Sequence, residues 1–214
     1  MMHKIAEGLL TLLYPEHVAC ILCGEEAVIN ETGLCTACER SLCRCDDPTP
    51  LRHASGFTAG LLFEGAVMEG VHRLKYGDAR FVAPLLASYI EIPPEWEIDA
   101  IVPIPLHWLR LWKRGYNQSA LIASALSERI GVPVEETLLR RSRYTKTQTA
   151  FGAAQRAKNI RGAFTASSAA KGRRILLLDD VRTTGATLDS AAEALLHMGA
   201  EAVYACAACE TKRY

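Results

Sequence analysis

With 214 residues, half of them apolar, the chain can fill one ordinary domain plus a small appendage, which excludes a disordered or fibrous protein. Positive and negative charges balance at 24 each, but residues 1–55 carry four Lys or Arg against eight Asp or Glu, while residues 105–174 carry fourteen against three; an anionic partner is expected at the second stretch. Residues 5–13 are apolar but short, contain Glu7 and lead into Tyr14-Pro15, so neither a signal peptide nor a membrane span is predicted and the expected location is the cytoplasm.

Six of the eight cysteines lie between Cys20 and Cys45. The pairs Cys20-x-x-Cys23 and Cys35-x-x-Cys38 have the spacing of a structural zinc site, in which four thiolates close a tetrahedral shell and leave no place for substrate. A redox pair or unmetallated thiols are the alternative readings of the same motif. Cys43 and Cys45 form only a Cys-x-Cys and have no assigned role. The two acids and two prolines of residues 46–50 resist regular structure and mark a boundary, giving an N-terminal unit over residues 1–50 and a main domain over residues 51–214.

Helical spacing runs over residues 66–90, broken near Gly77-Asp78, and Pro93-Pro94 closes it. A strand is predicted over residues 98–103, followed through residue 118 by a basic loop with two Trp, in which Arg110, Lys113 and Arg114 are candidate anion contacts and His107 is ordinary packing. Asn117 caps a helix that ends at Gly131. Residues 140–161 interleave basic residues with Thr and Gln before a helix over residues 153–160.

Four aliphatics at residues 175–178 read as a strand buried on both faces, left through Asp179 and Asp180. The turn Thr183, Thr184, Gly185, Ala186 and Thr187 then opens a helix over residues 185–198, and a strand over residues 202–208 completes a parallel βαβ unit. Amides at such a helix start, with threonine hydroxyls beside them, form an anion nest. Two acceptor-only carboxylates next to it suit a vicinal diol, as on ribose. No G-x-G-x-x-G opens a helix, which disfavours a dinucleotide fold. Cys206 and Cys209 are expected to be buried small side chains.

The segment from Asp179 to Thr187 is similar to the motif by which type I phosphoribosyltransferases bind 5-phosphoribosyl 1-pyrophosphate (PRPP), with Arg182 at a variable position. Further stretches resemble the ComF family of competence-associated and GntX-like proteins: the two Cys-x-x-Cys pairs, Leu74-Lys75-Tyr76, Pro105 with Arg114-Gly115-Tyr116-Asn117-Gln118-Ser119, Arg141-x-Arg143-x-Thr145-x-Thr147-Gln148, and Arg156-x-x-Asn159-x-x-Gly162-Ala163-Phe164. The resemblance implies an α/β fold of the type I phosphoribosyltransferase kind, a parallel sheet flanked by helices with a small N-terminal zinc finger. It further implies PRPP with magnesium at Asp179, Asp180 and the threonine turn; pyrophosphate and loop contacts from Arg110, Lys113, Arg114, Arg141, Arg143, Gln148 and Arg156; and structural zinc on Cys20, Cys23, Cys35 and Cys38. Two functions stay open: phosphoribosyl transfer to a nitrogen acceptor, with the zinc finger as the acceptor hood, or a PRPP- or nucleotide-sensing module that binds single-stranded DNA beside a competence helicase-type partner.

Overall fold

An uninterrupted apolar strand needs cover on both faces, and that requirement organises the chain. The structure is a computed structural model that describes residues 19–142, 160 and 162–212. The elements are α1 (Thr36–Ser41), β1 (Gly56–Leu62), α2 (Gly65–Tyr76), α3 (Val82–Ser88), β2 (Ala100–Pro103), α4 (Trp108–Arg114), α5 (Gln118–Ile130), β3 (Leu139–Arg141), β4 (Phe164–Ala166), β5 (Arg174–Arg182), α6 (Ala186–His197) and β6 (Ala202–Glu210). Strands β1, β6, β5 and β2 lie side by side in that order, all parallel, and β3 and β4 form a separate antiparallel pair. Among the described residues no helix is long and apolar enough to cross a membrane.

The two-residue period of β5 divides the core. Ile175 and Leu177 join Val102, Val203 and Ala205 beneath Leu188, Ala191, Ala192 and Leu195 of α6. Leu176 and Leu178 face the other way, into Ile101, Cys206 and Ala208 and the apolar stripes of α2, α3 and α5. Cys206 and Cys209 are buried there, as expected for small core side chains. Asn117 caps α5, its side chain accepting from the Ser119 amide at 3.1 Å. The predicted helical break at Gly77-Asp78 separates α2 from α3, and Asp78 takes a left-handed φ of 53° there.

Residues 19–45 pack onto this body. Cys20, Leu22, Leu34, Cys35 and Cys38 belong to the same core as α2. Gly70 leaves room for Leu22, since a Cβ there would stand 2.4 Å from the Leu22 Cδ2 atom. Arg73 donates to the Ile21 and Leu22 carbonyls at 2.9 and 3.0 Å. Cys43 and Cys45 run along β1, exchanging backbone hydrogen bonds with Leu62 and Gly60, which covers an otherwise open sheet edge.

Three expectations change. β5 continues through the acids to Arg182, because its polar half finds buried partners: Arg182, 2% exposed, pairs with Glu210 of β6 at 2.8 Å and lies over the Phe57 ring. Removing one member of such a pair costs about 3–5 kcal/mol, since the other charge stays buried. Residues 108–114 form helix α4 where a loop was predicted; none of its residues is buried, and it is held by its ends, with His107 Nδ1 accepting from the Leu109 amide at 3.3 Å and Gly115 closing it. Strand β1 went unread because Gly56, Thr58 and Gly60 dilute its pattern. The helix expected over residues 153–160 falls, except for Ile160, outside the described residues.

Candidate functional site

The acids stand at the carboxyl end of β5, where ligands of open α/β sheets bind. Asp180, 4% exposed, meets the Lys75 ammonium from the last turn of α2 at 2.5 Å. Asp179 Oδ1 accepts from the Ser119 hydroxyl at the start of α5 at 3.1 Å and from the Asp180 amide at 2.9 Å. Burial, then the neighbouring Asp180 carboxylate, pushes Asp179 up to about 7. Burial pushes Asp180 the same way, but Lys75 outweighs it and the net shift is downward. Lys75 is shifted upward: burial opposes its charge and the Asp180 carboxylate more than compensates.

A cleft of about 700 Å³ opens over the pair, and six cations line it, Lys75, Arg80, Arg110, Lys113, Arg114 and Arg141, against Asp78, Asp179 and Asp180. Burial and then Arg110 push the Arg141 guanidinium down, with Asp179 opposing the shift. Thr187 lines the same wall at the first turn of α6. Thr183, Thr184 and Gly185 make the connecting turn and Ala186 opens α6, with Gly185 in the left-handed region at φ 81°. A Cβ at Gly185 would stand 2.6 Å from Leu51 Cδ2 and 3.0 Å from Arg182 Nε, so the turn is packed from behind by the chain that enters the domain. Arg182 is part of that backing: it binds the Thr49 and Pro50 carbonyls and points away from the cleft. Asp189 in the same first turn accepts from the Arg52 and His53 amides at 2.8 and 3.1 Å.

The structure thus gathers Arg110, Lys113, Arg114, Arg141, Asp179, Asp180 and Thr187 around one cleft, while Arg143, Gln148 and Arg156 lie outside the described residues. Sequence reasoning assigned no role to Lys75, Arg80 or Ser119. Lys75 sat in a quoted motif, and the available signal was a cation at the end of an otherwise apolar helical stripe.

Cys20, Cys23, Cys35 and Cys38 form the second site, their sulfurs all within 4.8 Å of one another. The Cys35 amide donates to Cys20 Sγ and the Cys38 amide to Cys35 Sγ, each at 3.4 Å. Burial pushes Cys20 up, but the amides of Cys35, Cys23 and Leu22 outweigh it and bring the thiol down to about 6. Cys23 and Cys38 are pushed up, by burial first and then by neighbouring sulfurs. Four cysteine sulfurs gathered this closely can close a tetrahedral shell once deprotonated, so the donor set fits a zinc ion. Cys43 is exposed and Cys45 bonds Glu210 at 3.4 Å; neither joins the cluster.

A parallel sheet, an acid pair at a strand end and a threonine–glycine turn into a helix define a phosphoribosyltransferase-type domain, and the profile of the phosphoribosyl transferase domain matches residues 116–214. Competence protein ComFC of Bacillus subtilis strain 168 is 31% identical over 84% of this chain and 72% of its own length, and the chain belongs to this ComF family of competence proteins. DNA utilization protein YhgH of Escherichia coli K12 is 27% identical over 90% of this chain and 96% of its own length. Competence protein F of Haemophilus influenzae is 36% identical over 49% of this chain, a match spanning 47% of that protein.

The upward shift of Asp179 makes the site a cost to stability. A carboxyl whose folded pKa is about 7 against an ordinary 3.8 holds its proton more tightly when folded, so stability falls as pH rises between those values and levels off above them. Asp179→Asn keeps an oxygen for Ser119 and the Asp180 amide while removing the charge. It should be more stable than wild type by about 1–3 kcal/mol at roughly pH 8 and by little at about pH 4.5. Urea unfolding at both pH values checks this, and a destabilised variant at the higher pH contradicts it.

Proposed function

We propose that the cleft binds PRPP and that the domain acts as a phosphoribosyltransferase or a close functional derivative of one in a DNA-uptake setting in the cytoplasm. The observation that carries this reading is the desolvated acid pair beside a helix start in a cleft lined by six cations. The carboxylates suit the ribose diol, the turn into α6 suits the 5-phosphate, and Arg110, Lys113, Arg114 and Arg141 suit the pyrophosphate. In transfer, the C1–O bond to pyrophosphate breaks as a C1–N bond forms; pyrophosphate departs with the bonding electrons and the acceptor's proton passes to solvent. Magnesium carried with PRPP would supply charge neutralisation at the leaving group. Among the described residues the cleft is lined by Lys75, Tyr76, Asp78 and Arg80, at and after the end of α2, and by none of the four clustered cysteines.

A second reading has its own observation. Helix α4 buries none of its residues and presents Trp108 and Trp112, 67% and 83% exposed, on the element that carries Arg110, Lys113 and Arg114. Aromatic faces interleaved with cations suit single-stranded nucleic acid, through stacking and phosphate contacts. The two readings share cations but not aromatics.

Calorimetry with magnesium PRPP separates them. Asp179→Asn with Asp180→Asn should weaken PRPP at least about tenfold, as expected for lost hydrogen bonds to charged groups, and leave oligonucleotide binding unchanged or stronger. Trp108→Ala with Trp112→Ala should leave PRPP untouched and reduce oligonucleotide binding if α4 serves DNA. Absence of PRPP binding to the wild type would contradict the first reading. For the cysteine cluster, we infer one structural zinc per chain, and metal analysis of purified protein should find it near stoichiometric and lost in Cys20→Ser with Cys35→Ser; a metal-free, stably folded wild type would contradict this.

A further inference from the structure

The acid pair already has a cationic partner, delivered from outside the strand–turn–helix unit that defines the domain. Lys75 lies in the last turn of α2, with 22% of its side chain exposed and its ammonium on Asp180 Oδ2. Its backbone is firmly placed: Leu74 is fully buried, the Leu74 carbonyl accepts from the Tyr116 hydroxyl, and Arg73 ties the helix to the carbonyls of residues 21 and 22. The two carboxylates are therefore not equivalent. Asp179 is held by a hydroxyl and an amide, Asp180 by an ammonium.

A sugar hydroxyl is both donor and acceptor, whereas ionised carboxylates only accept. Two carboxylates alone would leave the oxygen lone pairs of a bound diol without a donor. An ammonium has three protons to donate, the Lys75 ammonium is ion-paired with Asp180 Oδ2 at 2.5 Å, and Lys75 borders the same cleft. We propose that Lys75 is a ligand-contacting residue of the sugar site, holding Asp180 with one proton and donating another to a ribose hydroxyl oxygen, so that the diol is read by carboxylate and ammonium together. The proposal rests on the reading of the cleft as a site for a phosphorylated ribose.

The charged and titratable groups that face the pair are Lys75 from α2, Arg141 from β3, and Cys206 and Cys209 from β6, with Arg114 of α4 beside Lys75. Removing the ammonium takes away the charge that opposes desolvation of Asp180, so the pair should retain a proton to higher pH.

The test compares wild type, Lys75→Met and Lys75→Arg as full chains. Ribose 5-phosphate affinity is measured by calorimetry across neutral pH, and the aspartate carboxyl carbons are titrated by NMR in the ligand-free proteins. Lys75→Met should lose about tenfold or more in affinity, the range of a hydrogen bond from a charged group, and its carboxyl titration should move upward. Lys75→Arg should restore the titration and part of the affinity. Unchanged affinity in Lys75→Met would overturn the proposal, as would an equal loss at every pH with an unmoved titration, which would make Lys75 a packing residue. If the wild type binds neither ribose 5-phosphate nor magnesium PRPP, the proposed function fails and the ligand contact with it, whereas a failure confined to Lys75→Met leaves that function standing.

Discussion

Two adjacent carboxylates withdrawn from water repel each other and resist burial, and the structure meets this constraint with side chains drawn from two helices. Asp180 takes the ammonium of Lys75 from α2, and Asp179 takes the hydroxyl of Ser119 from the capped start of α5. The compensation is incomplete, since Asp179 remains shifted up to about 7. A core built for stability alone would not place two acids there. Retained cost of this kind is characteristic of a site whose charge is completed by a ligand.

The same constraint gives the N-terminal cysteine region a mechanical meaning. Helix α2 carries Lys75 at one end, and along its length Gly70 seats Leu22 while Arg73 holds the carbonyls just after Cys20. The cysteine cluster is thus a footing for the helix that neutralises the acid pair. On the other side of the acid pair, residues 49–53 brace the turn between β5 and α6 through Arg182, Leu51 and Asp189. Chain segments that precede the sheet in sequence therefore support the site from two directions.

Much of the architecture was legible in the sequence because β5, α5 and α6 carry strong local signals: an aliphatic run, an Asn cap and a glycine stop. The acid pair and threonine turn were legible because their residue types are unusual at a strand end. Lys75 was not assigned a role, since its partner lies 105 positions away and only the packing of α2 onto β5 brings them together. Arg182 was legible only as a variable position of the motif and is a buried strand residue, because its counter-ion Glu210 sits on the neighbouring strand in a register that composition does not reveal. Helix α4 escaped notice because it has no buried face, so the periodicity that identifies helices was never present.

The account turns on whether the acid pair reads a ribose diol. The most direct measurement is the affinity of the wild-type chain for ribose 5-phosphate against 2-deoxyribose 5-phosphate, which share the phosphate and differ by one hydroxyl. A site that pairs buried polar groups with that hydroxyl should prefer ribose 5-phosphate by about tenfold or more, since the deoxy sugar leaves a carboxylate or ammonium unpaired. Equal affinities would show that the cleft holds the phosphate alone and that the acid pair serves something other than the sugar.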